Sequence, residues 1–437
     1  MKNIVSLSIY FLSIIGYSQS FESIFSIVDY QAGQSVCQTT DGGYVVAGHR
    51  GSPANGSEDI WLIKLNVFGE IVWEQTFCED PYHSGRAYSV QQTSDGGYIL
   101  TGKTIIYTTG NGYEVFLIKT DSLGNVEWEH MYIEENNDWA TEVIQTSDGG
   151  YIMTGITNSY GAGQTDVWLL KTDSNGELEW TNTYGGVGYE KSYSIVETFD
   201  GGFVITGDVF VSSSNYDLLL IKINSQGELI WSRTYGGENI DCGRSILQSS
   251  DGSFVTAGYT YSYGNSQSDC YILKTDNYGI ELWSKTFGFQ GNDYGYSIQE
   301  TTDYGYIITG ASESSLTSGL DVCLIKTNIN GDEEWLKFFG GELTDLGYCV
   351  QQTTDDGYIV AGMKNGGFGY TGDMYVIKTD SEGNALSTSV VDLNNSSNRK
   401  LVRTIDFLGR NSKEIYNTPL IDIYNDGSAE KKIVVDR

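Results

Sequence analysis

Only 3 of the 437 residues are proline and only 3 are histidine. So little proline suits many short strands joined by tight turns, because nothing interrupts the backbone ladders. His49, His83 and His130 form no i, i+4 pair and no metal spacing, with His49 and His83 expected in rim loops. Basic residues are also scarce: 25 Lys and Arg stand against 57 Asp and Glu, for a net charge of −32. That excludes a phosphate-backbone partner, which needs clustered cations. The six cysteines do not recur with any period and include no Cys-x-x-Cys pair, so no disulfide is assigned. Neither a Gly-x-Ser-x-Gly elbow nor a phosphate-cradling loop occurs, and no catalytic constellation is visible. Beyond the N-terminus there is no run of 18 apolar residues. Residues 1–20, with Lys2, an apolar stretch from Ile4 to Gly16 and a small-residue end, read as a secretory signal peptide. The expectation is an exported protein, monomeric, secreted or attached at the cell surface, with no membrane span in its mature form.

What the chain has instead is 54 glycines, 32 tyrosines and a period. An Asp-Gly-Gly-like hairpin recurs at Asp41, Asp95, Asp148, Asp200, Asp251, Asp303 and Asp355, at intervals of 54, 53, 52, 51, 52 and 52 residues. A fixed period near 50 outranks local readings and signals a repeat architecture. Each unit holds four strand-like runs, the first two joined by a hairpin read as a type I′ turn. Seven four-stranded units make a seven-bladed β-propeller, with a linear solenoid as the rival. The chain ends decide between them. The seventh unit stops at Leu386 without its fourth strand, and residues 21–26 supply one: aligned on the landmark Asp, Phe21 falls where Trp335 lies. The expected domains are 21–386 for the propeller, 387–397 for a linker and 398–437 for a small β module.

Six fourth strands carry Trp73, Trp128, Trp180, Trp231, Trp283 and Trp335, each four residues after a turn glycine. This Asp-x-x-Gly-x-x-x-Trp pattern resembles the tryptophan-docking repeat of quinoprotein-type propellers, with a turn one residue shorter. The resemblance implies that each indole packs on the glycine turn of the next blade. The quinone-dependent enzymes of that superfamily have eight blades and an adjacent cysteine pair. This chain has neither, so no organic cofactor is expected and the non-enzymatic scaffold members are the nearer comparison. The tail resembles the C-terminal sorting domain of type IX secretion cargo in Bacteroidota, through Asp406, Gly409 and Arg410, then Asn417 to Leu420, then Asp426 and Gly427, then Lys431 and Lys432. What that implies is recognition by the secretion machinery and transit across the outer membrane.

The loops between strands two and three, and from strand four to the next blade, open on one rim, where a binding face is expected. Two acidic series mark it: Asp59, Glu114, Asp166, Asp217, Asp269, Asp321 and Asp373 before strand three, and Asp138, Glu190, Asp241, Asp293 and Asp345 ten residues before the hairpin Asp. Read functionally, Asp241, Asp269, Asp293 and Asp321 are candidate ligands for Ca²⁺, the one metal this reading admits. Read structurally, each carboxylate accepts backbone N–H bonds and fixes its own loop. Tyrosines crowd the same rim, and Tyr259, Tyr261, Tyr263, Tyr160 and Tyr294 are the candidate contacts for a glycan or protein. The leading expectation is a non-enzymatic binding or scaffold protein. A glycan-degrading enzyme using rim carboxylates and a purely structural surface protein are the alternatives.

Overall fold

The computed structural model describes residues 20–26, 30–51, 58–77, 83–106, 112–212, 215–265, 267–288, 291–313, 319–367, 371–386, 391–392, 401–405, 419–424 and 429–433. The described residues contain strands and turns and no helix. Blades 1 to 6 are antiparallel four-stranded sheets spanning 31–77, 83–132, 138–184, 190–235, 241–287 and 293–339. Blade 7 takes three strands from 344–379 and its outer strand from Phe21–Ser26, in register Phe21↔Lys378 through Phe25↔Met374. The ring is closed by its own N-terminus, as the alignment of Phe21 on Trp335 requires. Within the segment read as a linker, Val391–Asp392 adds a short parallel pairing to Phe21–Ser26. The strands Leu401–Ile405, Pro419–Tyr424 and Ala429–Ile433 form a separate antiparallel sheet.

The core lies in seven seams rather than in one centre. Val45, Ala47, Ile60 and Leu62 of blade 1 pack on Leu100, Phe116 and Ile118 of blade 2, all but wholly buried. The tryptophans complete the seams. Trp73 lies 5.8 Å from Tyr98 of the next blade, Trp335 lies 5.7 Å from Tyr358, and Phe21 lies 6.0 Å from Tyr44. Each also covers the next turn glycine. Gly124 has φ of 81° and a Cβ there would meet Trp73 at 2.7 Å, so neither the backbone nor the space tolerates a side chain. The packing implied by the docking-repeat resemblance is therefore present.

The hairpins differ from the expected type I′ turns. Thr39 N–H donates to Gly43 O at 2.9 Å and Gly42 N–H to Thr39 O at 2.8 Å, and only Gly42 has positive φ. This is a three-residue loop, a type I turn closed by a bulge, which needs one left-handed residue rather than two. Five blades place Gly there, and blades 6 and 7 place Tyr304 (φ 66°) and Asp356 (φ 61°). A left-handed non-glycine residue costs about 1–2 kcal/mol, partly offset by glycine's greater chain entropy. Tyr304→Gly is therefore expected to stabilise the fold by about 0.5–1 kcal/mol. The check is a urea midpoint that rises while the slope stays unchanged; a lowered midpoint would show that the Tyr304 ring contributes more than the backbone strain costs.

The hairpin aspartates also hold a buried lysine that sequence reading passed over. Lys64, Lys119, Lys171, Lys222, Lys274, Lys326 and Lys378, one per third strand, reach their hairpin aspartates at 2.7–3.0 Å. Burial opposes ionisation of Asp148, but bonds from Thr146, the Gly150 N–H and Lys171 outweigh it and bring that carboxyl down to about 2. The recurring Asp is a fixed counter-charge for a lysine that would otherwise be stranded in the sheet.

Candidate functional site: the axial channel

The inner strand of every blade breaks register at one shared place, between Gly33 and Ser35 in blade 1 and at the equivalent position in the other six, and that of blade 7 breaks once more between Thr344 and Leu346. A bulge of this kind turns the extra residue out of the alternating pattern and re-aims it. The residues at the break, each seven before its hairpin Asp, are Gln34, Tyr88, Thr141, Tyr193, Arg244, Tyr296 and Tyr348. All seven, and the residue following each, line a channel of about 470 Å³, together with Trp139 and Leu346. Since all seven inner strands contribute, the channel runs along the propeller axis.

The residue after the bulge is serine in five blades, cysteine in blade 7 and glutamate in blade 3. In this layer each blade bonds to the next. Ser35 Oγ accepts from Val90 N–H at 3.1 Å, Ser194 from Ile246 N–H at 3.1 Å and Ser297 from Val350 N–H at 3.2 Å. Cys349 Sγ meets Val36 O at 3.6 Å and closes the circle. Glu142 performs the same task with a carboxylate oxygen 2.6 Å from Ile195 N. Burial pushes its carboxyl up to about 7, against the lowering influence of the Ile195 N–H and the Ser194 hydroxyl. Glu142 is the one carboxylate among the described channel-lining residues.

Arg244 breaks the symmetry from blade 5. Its guanidinium lies 3.9 Å from the Tyr193 ring centre and 5.3 Å from that of Tyr259, and it donates to Tyr259 Oη at 3.0 Å. Its Nε is buried without a hydrogen-bond partner. The nearby Asp208 accepts instead from Tyr193 Oη at 3.1 Å and Cys242 Sγ at 3.5 Å. From this point a ladder of rings leads outward and around the axis. Tyr259 meets Tyr261 at 6.2 Å and Tyr294 at 5.1 Å, Tyr294 stacks on Tyr296 at 6.0 Å, and Tyr296 meets Tyr348 at 5.9 Å. On the other side of the ring Arg86 is already matched, forming a two-pronged ion pair with Glu58 beneath the Tyr30 ring. His49 is not in a rim loop. It is a fully buried residue of the strand Tyr44–Gly51, held neutral by burial and by the cations Arg86 and Lys103.

Of the five tyrosines singled out in the sequence, Tyr259, Tyr261 and Tyr294 come together across blades 5 and 6. Tyr263 turns away, stacked on Tyr271 at 5.9 Å with its hydroxyl on Gly236 O at 2.8 Å. Tyr160 belongs to blade 3 and bonds Glu134 at 2.5 Å. The acidic residues Asp241, Asp269, Asp293 and Asp321 do not converge. The start of each third strand faces the start of the next blade's first strand, so the acids meet in pairs at successive seams. Asp217 and Asp241 flank Gly236, Asp269 and Asp293 flank Gly288, and Asp321 and Asp345 flank Gly340. Most of these carboxylates are tied to loop groups: Asp241 accepts from Gly237 N–H at 2.8 Å and Ser262 Oγ at 2.6 Å, Asp269 from Asn265 N–H at 2.8 Å, and Asp293 from Ser312 Oγ. Among the described residues no three His, Cys, Asp or Glu side chains are grouped to hold a metal ion. Of the tail motif, Asp406, Gly409, Arg410, Asp426 and Gly427 lie outside the described residues, as do residues 1–19, while Lys431 and Lys432 sit on the strand Ala429–Ile433.

No family model and no curated protein matches the sequence. Solved propellers do. The WD40 domain of Neurospora crassa Pan2 superposes with a TM-score of 0.54 at 9% identity, over 83% of this chain and 96% of that one. The likeness is one of fold. The polysaccharide lyase Uly1 aligns at 11% identity and a TM-score of 0.48 over 80% of this chain and 90% of its own. An α-L-arabinanase of Penicillium chrysogenum, complexed with arabinobiose, gives 10% and 0.47 over 83% and 98%. Such identities carry the architecture and nothing of the chemistry.

Proposed function

We propose that this is an exported binding protein, displayed or released outside the cell, that takes a glycan at the tyrosine-lined mouth of its axial channel. The carrying observation is the ladder from Tyr261 through Tyr294 and Tyr296 to Tyr348, which runs from the exposed rim to the channel. Flat rings with polar tips suit the faces and hydroxyls of sugars, and the channel has the size of a small-ligand site. Export rests on the signal-like N-terminus and on the tail's resemblance to a sorting domain. One feature favours a second reading, a glycan-degrading enzyme: Glu142, with its carboxyl pushed up to about 7, has the acidity of a general acid or base. Against it, hydrolysis by two carboxylates would need a partner that the described channel lining lacks.

The test is a glycan array probed with the full chain, alongside a Tyr296→Ala, Tyr348→Ala double variant and a chelator control. Selective binding by the parent that the double variant loses supports a channel-mouth site. Binding that survives in the double variant moves the site elsewhere, and a blank array sinks the glycan reading. New reducing ends released from a bound polysaccharide, and abolished by Glu142→Gln, would favour the enzyme instead.

A further inference from the structure

We propose that the ligand at the channel mouth is anionic, an acidic glycan whose carboxylate or sulfate oxygens are received by Arg244. The inference rests on the glycan reading above and names the chemical class of its ligand.

The first support is the state of Arg244 itself. A guanidinium away from bulk water normally spends its donors on a carboxylate or on carbonyls, because an unpaired buried donor is costly. Arg86 faces both oxygens of Glu58, and the seven third-strand lysines each face a hairpin aspartate; Arg50, which reaches Thr76 Oγ1 at 3.4 Å and whose Nε also lacks a partner, does not line the channel. Arg244 has Tyr259 Oη as its hydrogen-bond partner, and its Nε has none. Two rings, Tyr193 at 3.9 Å and Tyr259 at 5.3 Å, fix the plane of the fork without consuming donors. A planar fork held rigid, lining an open channel and short of acceptors, matches the geometry of an incoming oxyanion.

The second support is where positive charge is kept. Residues 21–386 carry 16 Lys and Arg against 50 Asp and Glu, and seven of the 16 are the paired lysines. Six of the other nine, Arg50, Arg86, Lys103, Lys191, Arg244 and Lys364, fall on the rim-side halves of first and second strands, the two nearest the axis. The acids of the same rim are drawn into the seams and bonded to loops, as Asp241 and Asp345 are through Gly237 and Gly341. Among the described channel-lining residues Arg244 is the one cation, as Glu142 is the one carboxylate.

Calorimetric titration of the full chain with four probes tests this: galacturonan oligosaccharides, the same oligosaccharides methyl-esterified, sulfated galactan oligosaccharides, and the unsulfated galactan. The expected result is at least tenfold tighter binding of one charged probe than of its neutral counterpart, weakening as salt is raised. Arg244→Gln should remove that preference, so that the variant binds the charged and neutral members of the pair with equal affinity. Which pair shows the preference separates a carboxylate from a sulfate. Equal affinity for charged and neutral forms overturns the anion proposal and leaves the glycan reading standing. Failure of all four probes on a protein whose array is also blank overturns both. The comparison of acid with ester uses the parent protein, so it stands even if Arg244→Gln folds poorly; if that variant folds and keeps the preference, Arg244 is not the receiver.

Discussion

Replacing Phe21 and Phe25 together with alanine is expected to cost at least about 4 kcal/mol and to lower the thermal midpoint by roughly 5 °C or more. Both rings are buried, at 3% and 1% exposure, in the cluster that joins blades 7 and 1. They lie on the strand that completes blade 7, and Phe21 also covers Gly69 of blade 1, where an added Cβ would come within 2.5 Å of the ring. Emptying that seam leaves the edge of the strand Thr371–Thr379 unpaired and the face of Tyr44 exposed. Both ends of the opened ring then present sticky surfaces, one to the other or to a second molecule. Thermal unfolding with size-exclusion chromatography is the measurement, and Phe199→Ala is the control, since Phe199 is 72% exposed at a hairpin. A double variant that unfolds with its parent and stays monomeric would mean that the N-terminal strand is an accessory to the ring rather than its closure.

Replacing Glu142 with serine, the residue that five other blades place there, is expected to stabilise the protein at pH 8 by about 1–3 kcal/mol and to do nothing favourable at pH 4. The direction follows from a folded-state carboxyl pushed up to about 7 by burial, above its unfolded value near 4.5. At pH 4 the proton is bound in both states. Between about 4.5 and 7 the unfolded chain releases its proton while the folded chain keeps it, so stability falls as pH rises; above about 7 the penalty is constant. Serine removes that slope and retains the seam bond, as Ser194 does by accepting from Ile246 N–H at 3.1 Å. Denaturant unfolding of both proteins at pH 4, 6 and 8 decides it. Parallel stability profiles would show that channel water solvates Glu142 as well as bulk water does.

The ring was legible in the sequence because its determinants are local and repeated. One left-handed glycine per turn, one tryptophan four residues later and one aspartate per hairpin set the period, and the match of Phe21 to Trp335 set the closure. The hairpin geometry was misread because Asp-Gly-Gly fits two turn types, and only the hydrogen bond from Thr39 N–H to Gly43 O distinguishes them. The candidate site was partly visible. Tyr259, Tyr261 and Tyr294 come together while Tyr263 and Tyr160 do not join them, and attention to the loops missed the strands behind them. The channel residues sit inside runs that look like ordinary alternating strands, and it is the bulge that turns Arg244 and Tyr348 inward. A sequence trace does exist. Seven residues before each landmark the chain reads Gln, Tyr, Thr, Tyr, Arg, Tyr, Tyr, and one residue later it reads serine with only Glu142 and Cys349 as departures. Variation at one position of an otherwise regular strand is what a lumen would look like. The acidic series follow the same repetition: identical placement in successive blades distributes the carboxylates over successive seams, where one member of each series meets one of the other, as Asp269 meets Asp293 beside Gly288.

Those seam carboxylates also settle how the rim can differ from blade to blade. Asp138 holds the loop leaving its blade's second strand through Asn158 N–H at 2.9 Å and Ser159 Oγ at 2.5 Å, and Asp241 does the same two blades later through Thr260 and Ser262. A loop tied at its foot in this way passes little of its own length or composition down to the sheet. The rim is then a set of sockets of one gauge on a rigid frame, and its recognition surface can be rewritten one loop at a time without disturbing the wheel that carries it.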